Sequence, residues 1–260
     1  MDFHLKDKII IVTGSARGIG EAIALELVKE GAVPVIVDRL EVEANALAKK
    51  IKADGGNCLV IIQELAADEA GRNIIESTVN RFGRIDGIVN NAGINDGVGL
   101  EHGSPEAFKK SLYSNLTHCY DLVHYGLDYL KITKGIIINI SSKTALTGQG
   151  GTSGYTASKG AQLALTREWA TELLPYGIRV NAIVPAEVMT PMYKEWLHSF
   201  AHPDEKLNQI ISRIPLGKRM TACEEIAAAC VFLLSERSAH TTGQWLVVDG
   251  GYVHLDRAII

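Results

Sequence analysis

No apolar run in this chain approaches the roughly 18 residues that a membrane-spanning helix needs. The longest pieces, such as Ile9 to Val12 and Leu59 to Ile62, are short. Cysteine is scarce. Cys58, Cys119, Cys223 and Cys230 form no CxxC pair, which excludes a disulfide framework and suits buried thiols of a reducing compartment. Neither sign of charge dominates: 26 Lys and Arg against 30 Asp and Glu leave a formal charge of -4, so neither nucleic acid nor an anionic membrane is an expected partner. His118, His124 and Cys119 have no companion ligand at metal-binding spacing, and no metal is expected. Met1 to Lys6 lacks the basic start and apolar stretch of a secretory signal, so the expected location is cytoplasmic.

What the chain does have is apolar residues, 47% of its 260, enough for a large core and against disorder. Short β-branched runs alternate with helical spacing. Lys8 to Thr13, Val33 to Val37, Cys58 to Ile62, Ile85 to Val89, Gly135 to Ile140, Ile178 to Val184 and Trp245 to Val248 read as strands. Continuous apolar runs of this kind suit a parallel sheet covered on both sides. Between them the spacing predicts helices over about 19–30, 41–53, 69–82, 155–174 and 224–234, with a helical region after Ser104-Pro105 and a less regular, aromatic-containing segment over 189–214. No linker, charge block or repeat divides the chain. The expectation is an α/β doubly wound parallel sheet of about seven strands with helices on both faces, one domain over 1–260. A nucleotide-binding half over about 1–150 would be followed by a catalytic and substrate-binding half over about 135–260.

The 25 glycines cluster, and one cluster follows the first strand: Thr13-Gly14-Ser15-Ala16-Arg17-Gly18-Ile19-Gly20. A dinucleotide site needs a tight turn, a backbone that can approach the pyrophosphate, and a helix N-terminus aimed at its charge. The spacing is not GxGxxG, and a bare strand-to-helix turn is the competing reading. Asp38, at the end of the second strand, would accept hydrogen bonds from a ribose diol and repel a 2′-phosphate, although a turn residue would look the same. Arg17 and Arg39 would welcome that phosphate. The carboxylate weighs more, which favours NAD with NADP tolerated. Asn90-Asn91-Ala92-Gly93, after the fourth strand, would line the adenosine side or form a plain Asn/Gly turn.

Tyr155-Thr156-Ala157-Ser158-Lys159 places a phenol and an ammonium one helical turn apart on one face. The ammonium favours the phenolate and so makes the tyrosine a better base toward an alcohol. An exposed i, i+4 pair is the plainer alternative. Upstream, Ser141-Ser142 ends a strand and offers a hydroxyl to a substrate oxygen. Asn115 would carry an amide or water link toward the lysine.

The order TGxxxGIG, NNAG, Asn, Ser, YxxxK resembles the short-chain dehydrogenase/reductase family, with its Rossmann fold, over almost the whole chain. The resemblance implies Ser142 as the catalytic serine, by its distance to Tyr155, with Asn115, Tyr155 and Lys159 completing the set. It also implies that Lys159 binds the nicotinamide ribose and that Val188 and Thr190, after Pro185, meet the carboxamide. Pro185-Ala186 stands where the family has Pro-Gly, and Glu64-Leu65 stands where it has an adenine-contacting Asp-Val. Ser141 to Ala145 through Gly154-Tyr155, Ser158 to Ala170, Val184 to Pro191 and Asp249 to Ala258 are similar to the bacterial L-fucose (aldose) dehydrogenases within that family. Members of that subgroup oxidise an anomeric hydroxyl to a lactone. Some relatives lack an acid at the Asp38 position, so cofactor preference does not carry over from them.

Asn95, Gln149 and Glu187 would present amides and a carboxylate to a sugar, with Ser142, Tyr155, Tyr193 and Trp196 completing a substrate pocket and the tail His254 to Arg257 nearby. A hydroxysteroid or 3-oxoacyl substrate is the rival, and a non-enzymatic NAD-binding sensor a more distant one. Family members are commonly tetramers. A strip of Ala157, Ala161, Leu165 and Trp169 would suit a homotetramer contact, although such stripes also face cores.

Overall fold

A computed structural model describes residues 2–255. Strands β1 (Ile9–Thr13), β2 (Val33–Asp38), β3 (Leu59–Ile62), β4 (Gly87–Asn90), β5 (Ile136–Ile140), β6 (Arg179–Pro185) and β7 (Trp245–Val248) form one sheet in the order β3-β2-β1-β4-β5-β6-β7. Every pairing is parallel. The chain winds outward from β1 to β3, then returns to β4 beside β1 and winds the other way to β7. The reversal between β1 and β4 opens a crevice at the carboxyl ends of the strands, where ligands bind in such sheets.

Alternation along each strand distributes its side chains to two layers. Ile9 and Ile11 pack with α3 (Ala70–Phe82), α5 (His118–Thr133) and α7 (Ser153–Leu173). Ile10 and Val12 pack instead with α1 (Gly18–Lys29) and α10 (Cys223–Leu234), and Ile36 with α2 (Glu41–Ala53). Both faces of the central strands are therefore dry, and that is why these strands are largely apolar, with Asn139 in β5 and Asn181 in β6 as buried polar exceptions. Among the described residues no helix is long and apolar enough to cross a membrane.

The remaining helices flank the crevice. Ser104 caps α4 (Pro105–Leu112), its hydroxyl accepting from the Ala107 N–H at 3.1 Å, with proline at the first position. A π-helical turn over Tyr113–Thr117 joins α4 to α5. The short α6 (Thr144–Thr147) follows β5. The segment expected to be irregular contains α8 (Pro191–Leu197) and α9 (Pro203–Ile211). Each starts on a proline, and Thr190 caps α8 by accepting from the Tyr193 N–H at 3.1 Å. Of their side chains only Leu197 is fully buried. The strip expected on α7 also divides: Trp169 is buried in the core while Ala157 is exposed.

Candidate active site

Between β1 and α1 the chain turns through Gly14 and Gly18, whose φ values of 63 and 64 are costly for any residue with a side chain. A Cβ at Gly14 would lie 2.9 Å from the Ala92 Cα. One at Gly20 would run into the Gly14 carbonyl oxygen and lie 2.7 Å from Asn91 Nδ2. The missing side chains thus let turn, helix and Asn91–Gly93 close on one another. The free N–H groups of the first turn of α1 remain at the crevice, as a pyrophosphate requires. Ile19 packs beneath against the α1/α10 layer.

Several residues expected to touch a dinucleotide also build the cradle. The Ser15 hydroxyl donates to the Val12 carbonyl at 2.7 Å and accepts from the Val37 N–H at 3.0 Å, so it stitches β1 to β2 and is fully buried. Asn91 Nδ2 donates to the carbonyls of Thr13 and Gly14 at 2.8 and 3.0 Å. The Thr13 hydroxyl accepts from the Asn91 and Ala92 N–H groups, both at 3.1 Å. Asp38 is buried and braces the turn, accepting from the Ala16 N–H at 2.9 Å and the Leu40 N–H at 3.1 Å. Arg39 donates to Glu64 at 3.0 Å and Arg17 to Glu195 at 3.0 Å. Both guanidinium groups therefore have carboxylate partners. Leu65 packs against the core layer that contains Ile9. This cradle, glycine-lined and closed by an acid at the end of β2, fits a nicotinamide dinucleotide.

Across the crevice, β5 delivers two serines with different partners. Ser141 is buried and donates to the Lys159 carbonyl at 2.8 Å. Ser142 shares a hydrogen bond with Tyr155 and accepts from the Thr144 N–H at 3.3 Å. Tyr155 and Lys159 lie one turn apart on α7, with the ammonium 5.7 Å from the phenol ring centroid. Burial pushes the Tyr155 phenol up, and the Ser142 hydrogen bond partly offsets this. Burial also pushes the Lys159 ammonium down, to about 8.

Lys159 Nζ donates to the Ile140 carbonyl at 2.8 Å and to Gln162 Oε1 at 3.1 Å. Gln162 Nε2 in turn donates to Cys119 Sγ at 3.2 Å, and His118 Nδ1 lies 3.6 Å from that sulfur. Burial and the Lys159 charge hold His118 down at about 4, a neutral imidazole, while burial raises the Cys119 thiol to about 11. Gln162 was not among the residues singled out in the sequence. Its signal was a polar side chain three positions after the lysine on one helix face. Asn115 sits in the π-helical turn. Its Oδ1 accepts from the Ile94 N–H at 2.7 Å and its Nδ2 donates to the Ser111 carbonyl at 3.0 Å. Asn115 and Lys159 meet at Gly93, where a Cβ would lie 3.4 Å from Asn115 Oδ1 and 3.2 Å from Lys159 Nζ.

The exit from β6 closes the crevice. The Pro185 carbonyl accepts from the Lys143 N–H at 2.9 Å. Val188 is buried, and its carbonyl accepts from the Thr190 N–H at 2.8 Å. A Cβ at Gly18 would lie 3.4 Å from the Thr190 Cβ, so the first turn and the β6 exit approach each other. Glu187 is buried, ion-paired with Lys143, and accepts from the Tyr193 hydroxyl at 2.7 Å. Tyr193 stands edge-on to Trp196 at 5.1 Å between ring centroids. Asn95 and Gln149 are exposed and bond to none of this group; Asn95 Oδ1 accepts from the Gly97 N–H. Among the expected tail residues, Asp256 and Arg257 lie outside the described residues. No cluster of three metal-ligating side chains occurs among the described residues.

A parallel sheet carrying a dinucleotide cradle and, opposite it, a serine-bonded tyrosine beside a buried lysine defines a nicotinamide-dependent oxidoreductase of CH–OH groups. Residues 14–253 match the family described as enoyl-(acyl carrier protein) reductase. The L-fucose dehydrogenase of Bos taurus is 37% identical over 94% of this chain and 88% of its own length. The chain belongs to the short-chain dehydrogenase/reductase family. Among solved structures, Cj0485 dehydrogenase superposes with a TM-score of 0.94 and 44% identity over 100% of this chain and 99% of its own. The L-sorbose reductase of Gluconobacter frateurii, complexed with NADPH and L-sorbose, gives 0.92 and 28% identity over 98% of this chain and 100% of its own.

Proposed function

We propose that the protein oxidises the anomeric hydroxyl of L-fucose or a related aldose to the lactone. Tyr155 takes the hydroxyl proton, Ser142 holds the sugar oxygen, and Lys159 keeps the phenol acidic enough to act as a base. The nicotinamide, when bound, accepts the hydride from the same carbon. The ring oxygen beside that carbon stabilises the positive charge that develops as hydride leaves. Asn115 keeps the Ile94 backbone and the Gly93 approach in place beside Lys159. The first half of the chain holds the dinucleotide and the second half the sugar, with Val188 and Thr190 against the carboxamide.

The observation that carries the sugar reading is the buried carboxylate of Glu187 at the β6 exit, bonded to Tyr193 and paired with Lys143. An acyl chain or steroid laid there would strip water from charged groups and return no hydrogen bond. The similarity to an L-fucose dehydrogenase supports the same reading. NADH formation with L-fucose, D-arabinose and L-galactose, beside a hydroxysteroid and a 3-hydroxyacyl thioester, tests it. Turnover of an aldose is expected, and turnover of only a steroid or acyl substrate would overturn it.

NAD is the favoured cofactor because Asp38 meets the ribose while Arg17 and Arg39 are engaged with Glu195 and Glu64. Asp38→Ser is expected to lower kcat/KM for NAD and move the NADP:NAD ratio by about tenfold or more toward NADP. A loss of bracing alone would depress both cofactors together and leave the ratio where it was.

A further inference from the structure

We propose that Lys143 and Glu187 form a paired clamp for the sugar hydroxyl adjacent to the one being oxidised, and so select a neutral polyol with a hydroxyl at that carbon; this rests on the aldose reading above. Their side chains are only 10% and 11% exposed and form an ion pair. The second Glu187 oxygen accepts from Tyr193, and the Lys143 ammonium lies 4.3 Å from the centroid of the Tyr252 ring. Four segments therefore converge on the pair: the exits of β5, β6 and β7, and helix α8.

Placing two charges out of water is costly before their attraction is counted, and apolar replacements of such pairs are often no less stable. Stability alone gives little reason for the pair to be here. Its position gives a better one. Lys143 follows Ser142 directly, and its N–H bonds to the Pro185 carbonyl two residues before Glu187. With Ser142 on the anomeric oxygen, the neighbouring hydroxyl is the next polar group to reach.

A hydroxyl both accepts and donates, which matches an ammonium and a carboxylate held side by side. A methylene matches neither. Lys143 has donors beyond the one given to Glu187, and each carboxylate oxygen has a second lone pair. The pair is neutral as a whole, so a phosphorylated or carboxylated sugar meets no surplus positive charge.

The test compares L-fucose with 2-deoxy-L-fucose for the wild type, Lys143→Met, Lys143→Arg and Glu187→Gln. The wild type is expected to favour L-fucose by about 30-fold or more in kcat/KM, the scale of a buried polar group left unpaired. Lys143→Met and Glu187→Gln should reduce that preference to about threefold, mainly through a higher KM for L-fucose, since the contact exists in both ground and transition state. Lys143→Arg, which keeps the charge, should retain part of it. Unchanged preference in both neutralised variants would overturn the clamp, as would an equal fall on the two sugars, the mark of a purely structural pair. Those results leave the aldose reading standing. A wild type that oxidises no aldose overturns both.

Discussion

Replacing Tyr155 by Phe is expected to lower turnover by about 10³-fold or more, near the upper range for losing a positioned general base. Dinucleotide affinity should change little, because the cradle residues Gly14, Gly20, Asp38 and Asn91 lie on the other side of the crevice, where Asn91 donates to the Gly14 carbonyl and Asp38 accepts from the Ala16 N–H. Stopped-flow hydride transfer together with fluorescence titration of the dinucleotide checks both halves. Retained turnover would remove the phenol from the mechanism. The pH dependence carries a sign. Oxidation needs the phenolate, so the rate falls as pH drops below the phenol pKa. Burial raises that pKa and the Ser142 hydrogen bond partly offsets the rise; an ammonium 5.7 Å from the ring centroid is expected to favour the phenolate further. Lys159, itself held at about 8 by burial, is charged through the neutral range. Lys159→Met should therefore move the acid limb of kcat/KM to higher pH, and an unmoved limb would count against a role for the ammonium in acidifying the phenol.

Gly20→Ala should be the most damaging small change at the other end. The new methyl group would meet the Gly14 carbonyl oxygen, with Asn91 Nδ2 and the Ser15 Cα both at 2.7 Å. Two of these contacts are backbone, so relief requires moving the turn itself. Overpacking of this kind costs about 1–3 kcal/mol, seen as a melting temperature lower by several degrees, roughly 2–4 °C per kcal/mol in a chain near this size. Loss of the turn geometry should weaken dinucleotide binding by about 100-fold, the scale of 2–3 kcal/mol. Calorimetry and titration on the same preparation measure the two effects. Normal binding would mean that the turn does not cradle the dinucleotide.

The strands were legible because both sheet faces are buried and each strand therefore reads as an apolar run. Helices α1, α2, α3, α7 and α10 were legible because each offers one apolar stripe to that sheet. Helices α8 and α9 are short, and their apolar residues (Tyr193, Trp196 and Leu197 on one, Leu207, Ile210 and Ile211 on the other) stay half-exposed apart from Leu197. Their starts at Thr190-Pro191 and His202-Pro203 were the remaining signal. At the site, the residue types and their order were legible, but the partners of Ser15, Asp38 and Asn91 were not. Ser15 and Asp38 bond across about 22 residues of chain and Asn91 across about 78, and the same side chains read equally well as ligand contacts. The Lys159–Gln162 bond was within one helical turn and open to discovery. The Lys143–Glu187 pair, 44 residues apart, needed the β5 and β6 exits to be placed side by side.

The π-helical turn over Tyr113–Thr117 acts as a phase shifter between α4 and α5. A π turn holds about one residue more than an α turn, so excising one residue here would convert it to an α turn with the phase of α5 nearly kept, whereas excising one at the start of α5 would rotate everything downstream by about 100°. His118, Cys119, Leu122, Val123, Gly126 and Leu130 now face inward. After such a rotation Tyr120, His124 and Lys131 would press toward the core in their place. A single-codon deletion at the start of α5 is consequently a folding lesion, whereas the same loss within the π turn spares the core and falls on the placement of Asn115.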